Sequence, residues 1–138
     1  PTGKKPNSST YKAILGGGGR TACTTANCGG GAGEHTDWVL LPNQSYTRQD
    51  GTPIGTTNAN GIFTFPLTSS IGGSSSSWTG LKGDWTTWSN CSNWASTSGN
   101  GSAGRSGNND STAIYEPLYG GGFGLPCSSM YPLYCAEQ

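Results

Sequence analysis

The stretch Cys127-Ser-Ser-Met-Tyr-Pro-Leu-Tyr-Cys135-Ala-Glu137 closes this sequence of 138 residues. Tyr131, Leu133 and Cys135 are spaced two residues apart, and this period predicts a terminal strand with the three side chains on one face. No segment of the chain shows the apolar period of a helix of any length. The sequence therefore predicts a fold of mostly strands and loops.

Five cysteines need an explanation, and they stand at Cys23, Cys28, Cys91, Cys127 and Cys135. Neither close pair has the two-residue gap that is typical of structural zinc sites, so disulfides are favoured over zinc. Disulfides persist in oxidising compartments, which predicts an extracellular, cell-surface or periplasmic protein. The odd cysteine indicates an intermolecular bridge or a partner that this chain does not contain.

The composition is poor in aliphatic residues but rich in large aromatic ones. Hydrophobic residues make up 31% of the chain and the net charge is zero, whereas disordered chains usually combine low hydrophobicity with high net charge. Aromatic rings bury about 150 to 250 Å² each, so tryptophans can form a core that aliphatic residues alone could not. We expect one domain over residues 1–138, with a core drawn from Trp38, Trp78, Trp85, Trp88 and Trp94.

Two classes of partner are excluded by the charge and hydropathy patterns. The chain has seven Lys and Arg residues and no basic stripe, which argues against a nucleic-acid partner. No apolar run approaches the roughly 18 residues of a membrane span, and the chain does not open on a signal peptide. We expect a soluble exported domain with no membrane span and with its export signal outside this sequence.

Turn signals divide the chain into short strands. Asp50-Gly51 is a strong hairpin signal between a strand at 46–48 and a return that begins at Pro53. We also expect strands at 11–15, 37–41 and 62–65. The Ser, Gly and Asn residues at 69–77 and 96–111 predict loops, the second of them long and exposed.

The ending from Cys127 to Glu137 resembles the terminal strand of endostatin and other C-type-lectin-like domains, which also finish on two cysteines followed closely by Glu. Cys91-Ser-Asn-Trp94 resembles the Cys-x-x-Trp motif of endostatin, and Ser77-Trp78-Thr-Gly80 resembles a Trp-x-Gly of the same fold. A closer resemblance is to a bacterial family of unassigned domains that includes the leptospiral endostatin-like (Len) surface proteins. It is carried by Tyr11–Ala13, Cys23–Trp38, Thr56–Gly61 and Trp78–Leu81.

This resemblance implies an α+β domain, mostly strands and loops, with a C-type-lectin-like (endostatin-like) fold. It implies the bridges Cys91–Cys127 and Cys23–Cys28, and it pairs Cys135 with a cysteine in an N-terminal strand and helix that this chain is expected to lack. We therefore expect a C-terminal portion of a longer precursor, cleaved or truncated. A separate chain or a neighbouring subunit could supply the missing strand.

The function implied by the resemblance is non-catalytic recognition at a bacterial surface. The domain is expected to act as an adhesin of the outer membrane or cell surface that binds host matrix or plasma proteins, as the Len proteins do. One alternative is a structural subunit or decoration of a surface or periplasmic assembly, including a homo-oligomer. A second alternative is a carbohydrate-binding lectin.

The candidate catalytic groups favour structural roles. His35 lies between Glu34 and Asp37, so a Ser-His-Asp site is imaginable, but serine is too abundant for proximity to carry meaning. Capping or hydrogen bonding is the favoured interpretation of His35. The acidic residues are scattered without the paired arrangement of glycosidases. We predict no catalytic residues, no cofactor and no metal.

Two further segments are candidates for binding. Asn108 and Asp110 could offer oxygen ligands to calcium, as in sugar-binding lectins, but the neighbouring motifs of those lectins are incomplete here, and a surface turn is favoured. Tyr115, Tyr119 and Phe123 are interspersed with glycines and predict a surface patch for a protein partner.

Overall fold

The computed structural model describes residues 10–117 and 124–138. Within these ranges the chain forms short antiparallel strands joined by long loops, and each strand pairs with one other to give four two-stranded ribbons. The strands are β1 (Tyr11–Ala13), β2 (Ser45–Thr47), β3 (Pro53–Thr56), β4 (Ser76–Trp78), β5 (Asn100–Gly101), β6 (Ala103–Arg105), β7 (Leu125–Pro126) and β8 (Cys135–Glu137). The protein is thus a small α+β domain dominated by strands and loops.

Helical structure in the described residues is limited to single turns. Three 3-10 turns cover Ala26–Cys28, Ala32–Glu34 and Ser111–Ala113, and one α-type turn, α1, covers Cys91–Trp94. No helix in these ranges is long and apolar enough to cross a membrane. The structure therefore agrees with the sequence, in which no helical period was visible.

The turn α1 is left-handed, with φ between 54° at Cys91 and 64° at Trp94. This conformation costs roughly 1 to 2 kcal/mol per residue for L-amino acids. Contacts at both ends of the turn hold it in place. The Asn90 side chain accepts a hydrogen bond from the Asn93 amide at 3.0 Å, and the Trp94 indole donates to the Gly16 carbonyl at 3.0 Å.

Two ribbons matter most for the site described below. Strands β1 and β8 join the beginning and the end of the described chain, with Tyr11 opposite Glu137 and Ala13 opposite Cys135. Strands β2 and β3 form the hairpin predicted around Asp50-Gly51, where the Thr52 amide donates to the Asp50 carboxylate at 2.9 Å.

The main core is arranged around the buried indole of Trp85, which is 1% exposed. Phe65 stacks on it with ring centroids 5.7 Å apart, and Trp38 meets it edge to face at 6.0 Å. The indole nitrogen donates to the Phe63 carbonyl at 3.1 Å. Buried aliphatic side chains surround this cluster, namely Ile14, Val39, Leu40, Ile62, Leu67, Leu81 and Ile114.

A second, smaller cluster forms around Trp78. Trp94 and Tyr131 both meet its ring edge to face, at centroid distances of 5.9 and 5.2 Å. Cys91 and Cys127 also belong to this cluster. Four of the five tryptophans are therefore core residues, as predicted, but Trp88 is 47% exposed and lies outside both clusters.

The structure contains the two disulfides that the resemblance implies, Cys23–Cys28 and Cys91–Cys127. Cys135 is a free thiol. The bridge Cys91–Cys127 spans 36 residues and connects α1 to the segment after β7, whereas Cys23–Cys28 closes a local loop of 5 residues.

Two predicted strands are absent. Residues 37–41 are irregular because Asp37 has φ of 45°, which interrupts an extended backbone. At 62–65 the backbone carbonyls bond to groups that do not belong to a neighbouring strand. The Ile62 carbonyl accepts from the Asn58 amide, and the Phe63 carbonyl accepts from the Trp85 indole. The predicted common face of Phe63 and Phe65 is still realised, since both rings lie against Trp85.

The prediction of a long exposed loop at 96–111 is wrong for the middle of that stretch, whereas residues 97–100 are exposed as predicted. This stretch contains β5 and β6, and residues 101–104 are buried. Small residues here allow backbones to approach closely, because a Cβ at Gly104 would lie only 2.0 Å from the Ala113 carbonyl oxygen. The terminal strand is also shorter than predicted and is limited to Cys135–Glu137, with an isolated bridge between Trp78 and Leu133 before it.

The two disulfides should differ in their contribution to stability. Closing a loop restricts the unfolded chain more when the loop is longer, so Cys91→Ala with Cys127→Ala should lower the free energy of unfolding by about 4 kcal/mol, and Cys23→Ala with Cys28→Ala by about 2 kcal/mol. Urea denaturation of both double variants checks the difference. An equal or larger loss from the short loop would contradict this account.

Candidate functional site

A groove of about 1020 Å³ lies between the β1–β8 ribbon and the β2–β3 ribbon. Residues from 71–77 and from 131–134 complete its lining. The groove exists because each ribbon has only two strands and the facing surfaces are not covered by a third element in the described residues. Every residue of 131–137 lines it, Tyr131, Leu133 and Cys135 among them, so the lining does not single out the common face predicted for these three side chains.

The lining is largely apolar and partly open to solvent. Leu41 is 61% exposed and Leu133 is 43% exposed, and both line the groove. Tyr11, Tyr46 and Ile54 are partly buried in the same lining. Contiguous exposed apolar surface bordered by polar groups is typical of interaction sites.

The polar groups of the groove are fixed by bonds to the surrounding backbone. The Tyr46 hydroxyl accepts from the Leu41 amide at 2.8 Å. The Arg48 guanidinium donates from two nitrogens to the Ser70 carbonyl, at 2.8 and 2.6 Å, and also to the Ser70 hydroxyl at 2.6 Å. These two side chains are therefore pre-organised, because they already have partners and need little reordering when a ligand binds.

Cys135 places a thiol in this groove. Burial raises the pKa of the thiol above its usual range, because the charged thiolate is poorly solvated there. The nucleophilic thiolate is accordingly scarcer than in a solvent-exposed cysteine. The site thus holds a reduced sulfur in apolar surroundings.

The acidic residues beside His35 hold loops together. The Thr25 hydroxyl donates to Glu34 at 2.6 Å and the Thr25 amide does so at 2.8 Å, and these bonds lower the Glu34 pKa to about 2. Hydrogen bonds from Lys12 at 2.8 Å and from Arg20 lower the Asp37 pKa to about 2. Both carboxylates are therefore bound to structural partners.

His35 makes the hydrogen-bonding contacts that the sequence favoured. Its Nδ1 contacts the Ala22 carbonyl oxygen, and its Nε2 contacts the Asn60 carbonyl oxygen at 2.6 Å. Neither nitrogen bonds to a hydroxyl or a carboxylate, which a Ser-His-Asp arrangement would require. His35 does not line the groove.

A single group of potential metal ligands occurs in the described part of the chain. Donor atoms of Cys23, Cys28 and Glu34 lie within 4.8 Å of one another. The two sulfurs are joined in a disulfide, so they do not offer the thiolates that bind metals. This group is a disulfide-closed loop whose backbone amides donate to the Glu34 carboxylate.

Three of the binding residues predicted from sequence, Asn108, Asp110 and Tyr115, do not line the groove. The Thr112 hydroxyl and amide both donate to Asp110, which lowers the Asp110 pKa and caps the 3-10 turn. The Asn108 amide group donates to the Thr112 hydroxyl at 2.7 Å. These contacts form the surface turn that the sequence favoured. Tyr115 is partly buried, and Tyr119 and Phe123 lie outside the described residues.

The groove itself was not predicted, because it forms between segments far apart in sequence. One available signal was the alternation of Tyr131, Leu133 and Cys135. A second was the pair Tyr46 and Ile54 in a hairpin whose other residues are mostly polar. Either could have indicated an apolar surface, but neither could show that the two segments face each other.

The fold and the groove together define a small disulfide-bonded domain with an apolar cleft. The chain belongs to the bacterial family described as protein of unknown function (DUF1554), whose model matches residues 1–112. No curated protein and no solved structure matches the chain.

The partly buried thiol of Cys135 gives a direct prediction. Cys135 should react with a disulfide reagent such as dithionitrobenzoate several-fold more slowly in the folded protein than in the same protein unfolded in urea at the same pH, because burial disfavours the thiolate. Absorbance of the released thiolate measures the rate, and Cys135→Ser gives the baseline. Equal rates in both states would show that the thiol is not sheltered.

Proposed function

We propose that this domain is a non-catalytic extracellular recognition module that binds another protein through the groove between its two ribbons. The observation that carries the proposal is the exposure of Leu41 and Leu133 in the lining of the groove. The hydroxyl of Tyr46 and the guanidinium of Arg48 in the same lining are already bonded to backbone groups. Burying a leucine side chain is worth roughly 1.5 to 3 kcal/mol. A partner that covered both side chains would gain a substantial part of a binding free energy.

The groove fits a polypeptide better than a sugar. Sugars are bound through several convergent polar groups, but Arg48 and Tyr46 are committed to backbone partners here. Asn108 and Asp110, which the lectin alternative would use for calcium, are bonded to Thr112 instead. These contacts favour protein recognition over calcium-dependent sugar binding.

Within the α+β class, we propose a C-type-lectin-like fold of the endostatin kind, related to that of the Len proteins. The pairing of β1 with β8 and the bridge Cys91–Cys127 support it. By this resemblance the partners are host matrix or plasma proteins and the site of action is the cell surface. The two disulfides fit an extracellular location.

Charge introduced into the groove should weaken binding. Leu133→Asp and Leu41→Asp should each weaken binding at least tenfold, because a hot-spot apolar contact of about 2 kcal/mol is lost and a carboxylate is desolvated. Met130→Asp is the matched control, because Met130 is 98% exposed and does not line the groove. Binding is measured by biolayer interferometry against a panel of purified matrix and plasma proteins.

The panel also separates the alternatives. Binding that is equally weakened by Met130→Asp, or unaffected by both groove variants, would contradict the groove as the binding site. Binding that is lost in a chelator would favour the lectin alternative. Circular dichroism of each variant confirms that the fold is retained.

A second candidate function is that of a subunit completed by a partner chain. The specific observation is the unpaired Cys135 thiol, which lies in the apolar groove while the other four cysteines are bridged. In this candidate a segment of the partner lies in the groove and forms a disulfide with Cys135. Strand addition to the open edge of a ribbon would position that segment.

Non-reduced peptide mass mapping of the protein isolated from its natural source tests this candidate. It predicts that the peptide containing Cys135 is linked to a peptide that is absent from this sequence. A Cys135 peptide recovered as a free thiol would reject the completed-subunit function. That result would leave the groove open to a non-covalent partner.

A further inference from the structure

We propose that His35 is a proton-dependent latch that holds the turn at residues 58–61 against the disulfide loop at residues 23–28. The latch is distinct from the proposed recognition function and does not depend on it. It is carried by the two backbone contacts of one imidazole ring.

Both ring nitrogens of His35 face acceptors. Nδ1 contacts the Ala22 carbonyl oxygen and Nε2 contacts the Asn60 carbonyl oxygen at 2.6 Å. A carbonyl oxygen can only accept a hydrogen bond, so each nitrogen must donate. A neutral imidazole has one N–H group, and only the imidazolium has two. The observed contacts are therefore complete only when the ring carries both protons.

The latch joins two loops that no strand connects. Ala22 directly precedes the bridged Cys23, and Asn60 belongs to the tight turn closed by the bond from the Gly61 amide to the Asn58 carbonyl. A Cβ at Gly61 would lie 3.0 Å from Nε2, so the backbone of the turn lies directly against the ring. The ring is partly buried between these loops.

Other bonds across the same junction do not depend on a proton. The Asn60 side chain donates to the Cys28 carbonyl at 3.1 Å, and the Trp38 indole donates to the Gly61 carbonyl at 2.9 Å. These bonds keep the turn near the disulfide loop when the latch opens. Loss of the proton should therefore loosen the turn without unfolding the domain.

The charged side chains next to His35 in sequence, Glu34 and Asp37, are bonded to partners other than the imidazole ring. Glu34 accepts from Thr24, Thr25 and Gly30 on the disulfide-loop side. Trp38, which lies against the ring, brings no charge, and neither does the turn, which consists of Asn, Ala and Gly residues.

On the side of β1, Asp37 is paired with Lys12 and Arg20. Both ring nitrogens of His35 are taken up by backbone carbonyls rather than by carboxylates. The second ring proton of His35 thus completes the connection between the backbone at Ala22 and the backbone at Asn60.

The turn is also connected to the rim of the groove. The Asn58 carbonyl accepts from the Asn43 amide at 3.1 Å, and the Thr57 hydroxyl donates to the Leu41 carbonyl. When the ring loses its proton, one nitrogen presents a lone pair to a carbonyl oxygen and one bond is lost. Loosening of the turn would then reach Leu41, which lines the groove.

Nuclear magnetic resonance of the unmodified, ¹⁵N-labelled protein tests the latch. His35 is the single histidine of the chain, so the ring signals need no assignment. Ring nitrogen shifts and amide exchange at residues 59–62 are followed together over a pH range that the ring nitrogen shifts themselves define, from the fully protonated to the neutral ring. Exchange rates are corrected for the intrinsic effect of pH.

The latch predicts that both ring nitrogens are protonated at the low end of this range. As the ring loses a proton, the opening equilibrium of the turn amides should rise on the order of 10- to 100-fold, as expected for loss of a hydrogen bond to a charged group. Amides of the β4–β6 ribbon serve as the internal control and should not change. Turn protection that is the same with a neutral ring would overturn the proposal.

The variant His35→Gln provides a second, independent readout. Glutamine does not titrate, so the turn amides should exchange at one corrected rate at every pH, close to that of the deprotonated wild type. A pH-dependence in His35→Gln equal to that of the wild type would assign the effect to another group and would reject the latch.

Discussion

Burial of the Trp85 indole is the constraint on which the rest of this structure depends. The chain offers few aliphatic side chains, and Trp85 brings Phe63, Phe65 and Trp38 into one cluster. Its backbone carbonyl accepts from the Cys23 amide, and its indole donates to the Phe63 carbonyl, so a single residue organises the disulfide loop and the irregular segment at 62–65. The backbone of Trp85 has φ of 69°, a strained value for an aromatic residue, and the surrounding contacts offset its cost.

The core leaves a groove because its ribbons are narrow. Each ribbon has two strands, so one edge or face of each stays uncovered, and the facing surfaces of β1–β8 and β2–β3 enclose an apolar cleft with the Cys135 thiol in it. The two proposed functions, recognition by this cleft and completion by a partner chain, both depend on this one feature. The His35 contacts connect the cleft to the disulfide loop through the turn at 58–61.

Features set by local chemistry could be predicted from sequence, and features set by distant contacts could not. The hairpin at Asp50-Gly51 was predictable because the turn residues determine it. The tryptophan core followed from composition, although nothing in the sequence distinguished Trp88 as the exposed one.

The strands expected at 37–41 and 62–65 failed because tertiary contacts use their backbone groups. The sequence of the buried stretch at 101–104 is typical of a loop, because small residues that permit close backbone packing are also common in loops. The candidate site was missed because its walls are formed by segments about 90 residues apart in the chain.

Comparison of Trp85→Ala with Trp88→Ala by urea denaturation tests the central claim most directly. Both changes remove the same side chain, but Trp85 is 1% exposed and Trp88 is 47% exposed. The account predicts that Trp85→Ala lowers the free energy of unfolding by about 3 to 5 kcal/mol or prevents folding, and that Trp88→Ala changes it by less than about 1 kcal/mol. Similar losses from the two variants would contradict a fold organised around Trp85.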